Sequence, residues 1–94
     1  MAPQIIPNIG MEIEFRKEFK KQYKKLPQKI QAKFDERLHL FIETPDHLLL
    51  HLHTLTGADY PIETINITAD YRAQFLRTKN VISFLRIGTH SELY

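Results

Sequence analysis

The sequence predicts an α+β fold in which a helical hairpin covers one face of a twisted, mainly antiparallel sheet. Two observations point to the hairpin. Phe15, Phe19, Tyr23 and Leu26 recur at i, i+4, i+8 and i+11. At 100° per residue they fall within about 80° of one another, a single helical stripe. Ile30, Phe34, Leu38 and Phe41 repeat the same spacing, with only Pro27 to Lys29 between the two runs. The third observation lies beyond Pro45, where the apolar period drops to two, the pattern of strands.

Residues 1–10 contain Pro3, Pro7 and Gly10 and read as a leader of low order, followed by one domain over residues 11–94. Met11 to Phe15 alternates apolar and charged, as a short strand does. The first helix follows from Phe15. Pro27 closes it and opens the second, because proline suits a first helical turn. The second helix ends near Thr44-Pro45. Strands are then expected at about Leu49–Leu55, Glu63–Thr68, Tyr71–Arg77 and Val81–Ile87. The polar breaks Thr68-Ala69-Asp70 and Thr78-Lys79-Asn80 are short enough to join antiparallel neighbours, giving a meander. The helices cover one sheet face and leave the other open.

Composition narrows the chemistry. The 94 residues are 43% hydrophobic and 26% charged, which excludes global disorder. There is no cysteine, so disulfide scaffolds, thiolate metal sites and cysteine nucleophiles are excluded. No apolar run approaches the roughly 18 residues of a membrane helix. MAPQIIPNIG has no basic n-region and no long apolar stretch, so the expected compartment is the cytoplasm. The net charge of +2 conceals a strong asymmetry. Residues 15–33 carry eight Lys/Arg against Glu18 alone, a local +7. Such an excess suits a polyanion, an acidic protein or a membrane surface, or is simply a solvated helix face.

Gly10, Gly57 and Gly88 are isolated and form no phosphate-cradling loop. Ser83 and Ser91 sit in no nucleophile elbow. The histidines are more informative. On an extended strand, His51 and His53 would project from one face and could begin a zinc site if His90 or Asp70 supplied a third ligand. Histidines on a wet sheet face are the plain alternative. His90 follows Arg86-Ile87-Gly88-Thr89 at the end of the last strand, where Gly88 suggests a bend. If Ala73 and Phe75 face the helices, Arg72, Gln74 and Leu76 face the open side. An arginine, histidines and an aspartate around one concavity would suit phosphodiester chemistry.

INITADYRAQF (65–75) and FLRIGTHSELY (84–94) resemble the closing strands of RelE/ParE-superfamily toxins, closest to RelE- and YafQ-like mRNA interferases. FRKEFKKQYKKLP (15–27) is similar to that family's basic first helix, and LHTLTG (52–57) to its second strand. The resemblance covers residues 11–94 and implies a RelE-like β-α-α-β-β-β(-β) fold. It implies the toxin of a bacterial type II toxin–antitoxin system that inhibits translation by cutting mRNA, commonly in the ribosomal A site. The implied reaction needs no metal and no cofactor. The ribose 2′-OH attacks the adjacent phosphate and the 5′-oxygen leaves, giving a 2′,3′-cyclic phosphate.

The resemblance assigns roles residue by residue. His90, in GTHSELY, matches a catalytic histidine and is assigned as general acid. His53, in LHTLTG, matches a YafQ-like histidine and is the candidate base. Asp70, in TADYR, matches an orienting aspartate, and Arg72 an arginine that stabilises phosphate charge. Tyr71 and Tyr94 match positions able to stack on a base. Lys17, Lys20, Lys21, Lys24 and Lys25 would contact RNA backbone. Two positions depart from the YafQ-like pattern: Asn66 stands where a histidine is usual, and Tyr71 where tryptophan is. His51 has no family role. Two other functions remain open, a ParE-like inhibitor of DNA gyrase and an RNA- or ribosome-binding module that does not cut. The toxin readings imply a cognate antitoxin as partner, with operator DNA bound only through it, and no membrane.

Overall fold

All six phenylalanines, Phe15, Phe19, Phe34, Phe41, Phe75 and Phe84, are buried in one cluster, and their placement explains the layering. The computed structural model describes residues 4–6 and 11–94. The strands β1 (Gln4–Ile6) and β2 (Met11–Phe15) lead into helices α1 (Lys17–Lys25) and α2 (Gln28–Glu43). Four strands follow: β3 (His53–Thr54), β4 (Glu63–Asn66), β5 (Tyr71–Arg77) and β6 (Val81–Thr89). A last turn of helix, α3 (His90–Leu93), ends the fold.

The sheet order is β1-β2-β6-β5-β4-β3. β3 to β6 form the expected antiparallel meander, and β2 adds to β6 in parallel. β1 pairs with β2. The remainder of the expected leader, residues 1–3 and 7–10, lies outside the described residues. Among the described residues no helix is long and apolar enough to cross a membrane.

Phe84 is the hub. Its ring stacks on Phe15 at 5.6 Å and meets Phe34 edge-on at 5.5 Å. Phe75 lies 5.4 Å away and Phe19 5.7 Å away. Offset and edge contacts of this kind add to the burial of large apolar area. The helices are also tied to each other. The Tyr23 hydroxyl donates to Asp35 at 3.1 Å, and Gln31 Nε2 donates to the Tyr23 carbonyl at 2.8 Å.

The elements depart from the sequence expectation at four places. α1 begins at Lys17, and Phe15 belongs to β2, although its ring reaches the same core. β4 ends at Asn66, and Ile67 and Thr68 enter the turn to β5. The strand expected at Leu49–Leu55 is mostly absent: Leu48–Leu50 form a 3-10 turn and only His53–Thr54 pair. The leucine run explains this, because burial falls on Leu50 alone while Leu48 is 92% exposed, and no alternation holds the segment extended. His51 then takes the left-handed conformation, with φ 45° and ψ 46°. Lastly, Gly88 makes no bend. β6 runs through it, and the glycine instead admits the Glu92 side chain, whose Oε1 would lie 3.0 Å from an added Cβ.

Candidate active site

The register fixes which side chains share the open face. Ala73 opposes Ile65 and Ile87, and Phe75 opposes Phe84, so these face the helices. The alternate positions form two rows on the other side. One row runs His53, Thr64, Gln74, Arg86 across four strands. The next runs Asn66, Arg72, Gly88. The expectation for Arg72 and Gln74 therefore holds.

At one end of this face lies an open pocket of about 360 Å³ lined by His51, His53, Leu55, Arg72, His90 and Tyr94. Three of the four residues assigned catalytic roles, His53, Arg72 and His90, thus line one concavity. Each is held by backbone. The Nδ1 of His53 lies 2.8 Å from the His51 carbonyl. A carbonyl only accepts, so Nδ1 carries the proton and Nε2 of the neutral ring presents a lone pair. His90 opens α3, and its backbone N–H donates to the Asp70 carbonyl at 2.9 Å. The Tyr94 ring lies 4.7 Å from the His90 ring.

Arg72 Nη1 donates to the carbonyls of Thr68, Ala69 and Tyr71 at 2.9–3.2 Å, closing the turn between β4 and β5. Among the described residues its Nε and Nη2 bond to no protein atom, and no carboxylate pairs with it. A guanidinium held by neutral acceptors keeps its charge for an incoming anion.

Arg86 is a second such group, to which the sequence reading assigned no role. Its Nε and Nη2 donate to Gln74 Oε1 at 3.1 and 2.8 Å, which accounts for a glutamine only 1% exposed. A β-bulge put it there. Gln74 opposes Arg86 but Phe75 opposes Phe84, so Leu85 is an extra residue in β6. Strict alternation from Ile82 and Phe84 would turn Arg86 toward the core. The bulge turns it out, and no local residue type announces it.

A capping box opens α3. The Thr89 hydroxyl accepts from the Glu92 N–H, and Glu92 Oε1 accepts from the Thr89 N–H at 2.7 Å and hydroxyl at 2.9 Å. These hydrogen bonds hold the Glu92 carboxyl below its ordinary pKa. In the hairpin, burial and then Asp35 raise the Tyr23 phenol above its ordinary value.

Other assigned residues lie elsewhere. The Asp70 side chain is exposed and does not line the pocket; its backbone carbonyl is what reaches His90. Tyr71 has the parity of Ala73 and lines a separate recess of about 190 Å³ on the helix side, with Lys25, Leu26, Ile87 and Glu92. Lys17, Lys20, Lys21, Lys24 and Lys25 are exposed on α1, in the layer opposite the pocket. Lys25 is the one that approaches α3 across that recess. His51, for which no role was assigned, sits in the pocket with its ring 5.0 Å from that of His53. It arrives there by the left-handed turn and not by strand alternation. Among the described residues no group of three or more His, Asp or Glu converges to hold a metal ion.

The fold is shared with known toxins. YafQ from E. coli strain BL21(DE3) superposes with a TM-score of 0.77 at 20% identity, over 89% of this chain and 98% of that one. The E. coli DinJ-YafQ toxin-antitoxin complex gives 0.74 at 21%, over 90% and 98%. The archaeal RelE-RelB complex from Pyrococcus horikoshii OT3 gives 0.68 at 19%, over 85% and 94%. No curated protein sequence matches the chain. The family described as ParE toxin of type II toxin-antitoxin system, parDE, matches residues 13–94. The chain belongs to that family, and is a type II toxin of the RelE/ParE superfamily with a RelE-like fold.

Proposed function

We propose that this toxin is an mRNA interferase, an endoribonuclease that cuts mRNA on the ribosome and so stops translation. One observation carries the reading: His53, His90 and Arg72 line a single pocket on the open sheet face. His53 Nε2 takes the proton of the ribose 2′-OH. The 2′-oxygen then bonds to phosphorus, and the bond from phosphorus to the 5′-oxygen breaks. His90 gives its proton to that oxygen, leaving a 2′,3′-cyclic phosphate and a 5′-hydroxyl. Arg72 balances the charge that grows on the non-bridging oxygens. The attacking group is the 2′-OH, so DNA is not a substrate. Asp70 positions His90 through its backbone, Tyr94 offers a ring to a base, and Tyr71 supports α3 from behind.

RNA leaving the pocket over α3 would reach Lys25 and then the other α1 lysines. A cognate antitoxin with an acidic segment suits the same basic helix, in keeping with the DinJ-YafQ and RelE-RelB complexes among the structural neighbours. Operator DNA is bound through the antitoxin, and the toxin acts in the cytoplasm, where mRNA is.

The family match to ParE favours a second reading, inhibition of DNA gyrase without catalysis. Cleavage of a defined mRNA in EDTA, with and without translating ribosomes, separates the two. The interferase reading expects cuts that vanish in His90→Ala. Absence of cuts in both conditions, with inhibition of gyrase supercoiling, would replace it by the second.

A further inference from the structure

We infer that His51 is a positioning residue: its left-handed backbone aims a carbonyl at His53 and thereby sets which nitrogen of His53 is basic. His51 is the one non-glycine residue with positive φ among the described residues. The conformation has a local use. Leu48–Leu50 close a 3-10 turn, and the His51 N–H donates to the Leu48 carbonyl at 3.1 Å. A residue at φ 45° then reverses the chain, so that its own carbonyl meets the side chain two residues on, at 2.8 Å. Histidine enters this region more readily than most residues, and β-branched residues least.

Free neutral imidazole chooses between two tautomers. A base that must take a proton at Nε2 needs the proton at Nδ1, and a fixed carbonyl supplies that selection. The edge-on contact of the two rings, with centroids 5.0 Å apart, further limits rotation of His53. His51 therefore needs no chemistry of its own. The proposal rests on the reading of His53 as the base, but its first readout does not.

That readout is the 15N spectrum of the histidine rings in the intact protein, above the titration range. His53 is expected protonated at Nδ1. In His51→Val, whose branched side chain resists the left-handed region, the His53 signals should move to a mixture or to the Nε2-protonated form. In His51→Asn and His51→Gly the Nδ1 form should persist. If the Val variant fails to fold, His51→Ala carries the same comparison. In cleavage assays His51→Val should lower kcat by about tenfold or more, within the range for a misplaced general base, with KM little changed. His51→Asn should restore it. A wild-type His53 protonated at Nε2, or a tautomer unmoved by valine or alanine, overturns the inference. Should the tautomer behave as expected while His53→Ala cleaves at full rate, the inference stands and the base assignment falls.

Discussion

The two faces of the sheet obey different rules. Toward the helices, Phe15, Phe75, Phe84, Ile65 and Ile87 meet α1 and α2 in an apolar layer, and the contacts there are between rings. On the opposite side the same strands carry the polar rows of His53, Thr64, Asn66, Arg72, Gln74 and Arg86, of which Thr64 and Gln74 are buried, and the two arginines make hydrogen bonds to neutral oxygens. Thr64 Oγ1 and Asn66 Oδ1 are buried there without a protein partner. Each such atom costs about 1–3 kcal/mol, a burden that the phenylalanine layer does not carry. Under the proposed function one face carries stability and the other activity, and substitutions should separate them.

The largest effects should come from the open face and fall on activity alone. His90→Ala and His53→Ala should each lower RNA cleavage by about 10²- to 10⁴-fold. Melting should change little, since exposed substitutions stay within about 0.5 kcal/mol. Large losses of stability would break the division between faces. The helix-side counterpart is Phe84→Ala, which opens a cavity at the hub of the ring cluster and should cost about 3–5 kcal/mol in denaturant unfolding. A loss well below that range would contradict the place of Phe84 at the centre of the ring cluster.

The exposed lysines of α1 lie away from the core that Phe19 enters and should tune affinity only. Replacing Lys20, Lys21 and Lys24 by alanine should weaken RNA binding at low salt and flatten its salt dependence. Each lost phosphate contact should change the slope by about 0.7 for single-stranded RNA. An unchanged slope, measured by titration at several salt concentrations, would move the RNA path away from α1.

Smaller effects belong to the links between elements. Tyr23→Phe removes the hydrogen bond to Asp35 and should cost about 0.5–1 kcal/mol by thermal melting. The folded phenol has a raised pKa, so its contribution is full below the unfolded value and is lost as pH rises through the folded one. Wild type and variant should therefore converge in alkaline solution. Glu92 behaves in the opposite sense. Its folded pKa is depressed, so its contribution is present above the ordinary glutamate range and is lost as pH falls through the folded value. Glu92→Gln should melt slightly lower than wild type near neutrality and match it in acid.

Much of this was legible in the sequence, and the parts that were not have physical reasons. The helical stripes, the meander and the open-face position of Arg72 all follow from period, because period reports a side chain's face directly. Tyr71 shares the parity of Ala73, and the structure places it in the helix-side recess. Arg86 was not legible, since one inserted residue reverses alternation and leaves no trace in residue type. The segment around His51 was also hidden. A run of leucines gives no period, and the left-handed turn is made by a histidine in place of the usual glycine. Where the backbone departs from regular strand, sequence pattern stops reporting direction, and the departure at His51 lies in the pocket itself.

The central claim is that the pocket directs a ribose 2′-hydroxyl at the neighbouring phosphate. The most direct measurement places a single 2′-deoxy nucleotide on the 5′ side of a mapped cleavage position and analyses the ends formed on the unmodified RNA. The account predicts that the deoxy substitution abolishes the cut at that position, and that the unmodified product carries a 2′,3′-cyclic phosphate opposite a 5′-hydroxyl. Cleavage that survives the missing hydroxyl, or that leaves a 5′-phosphate, would contradict it.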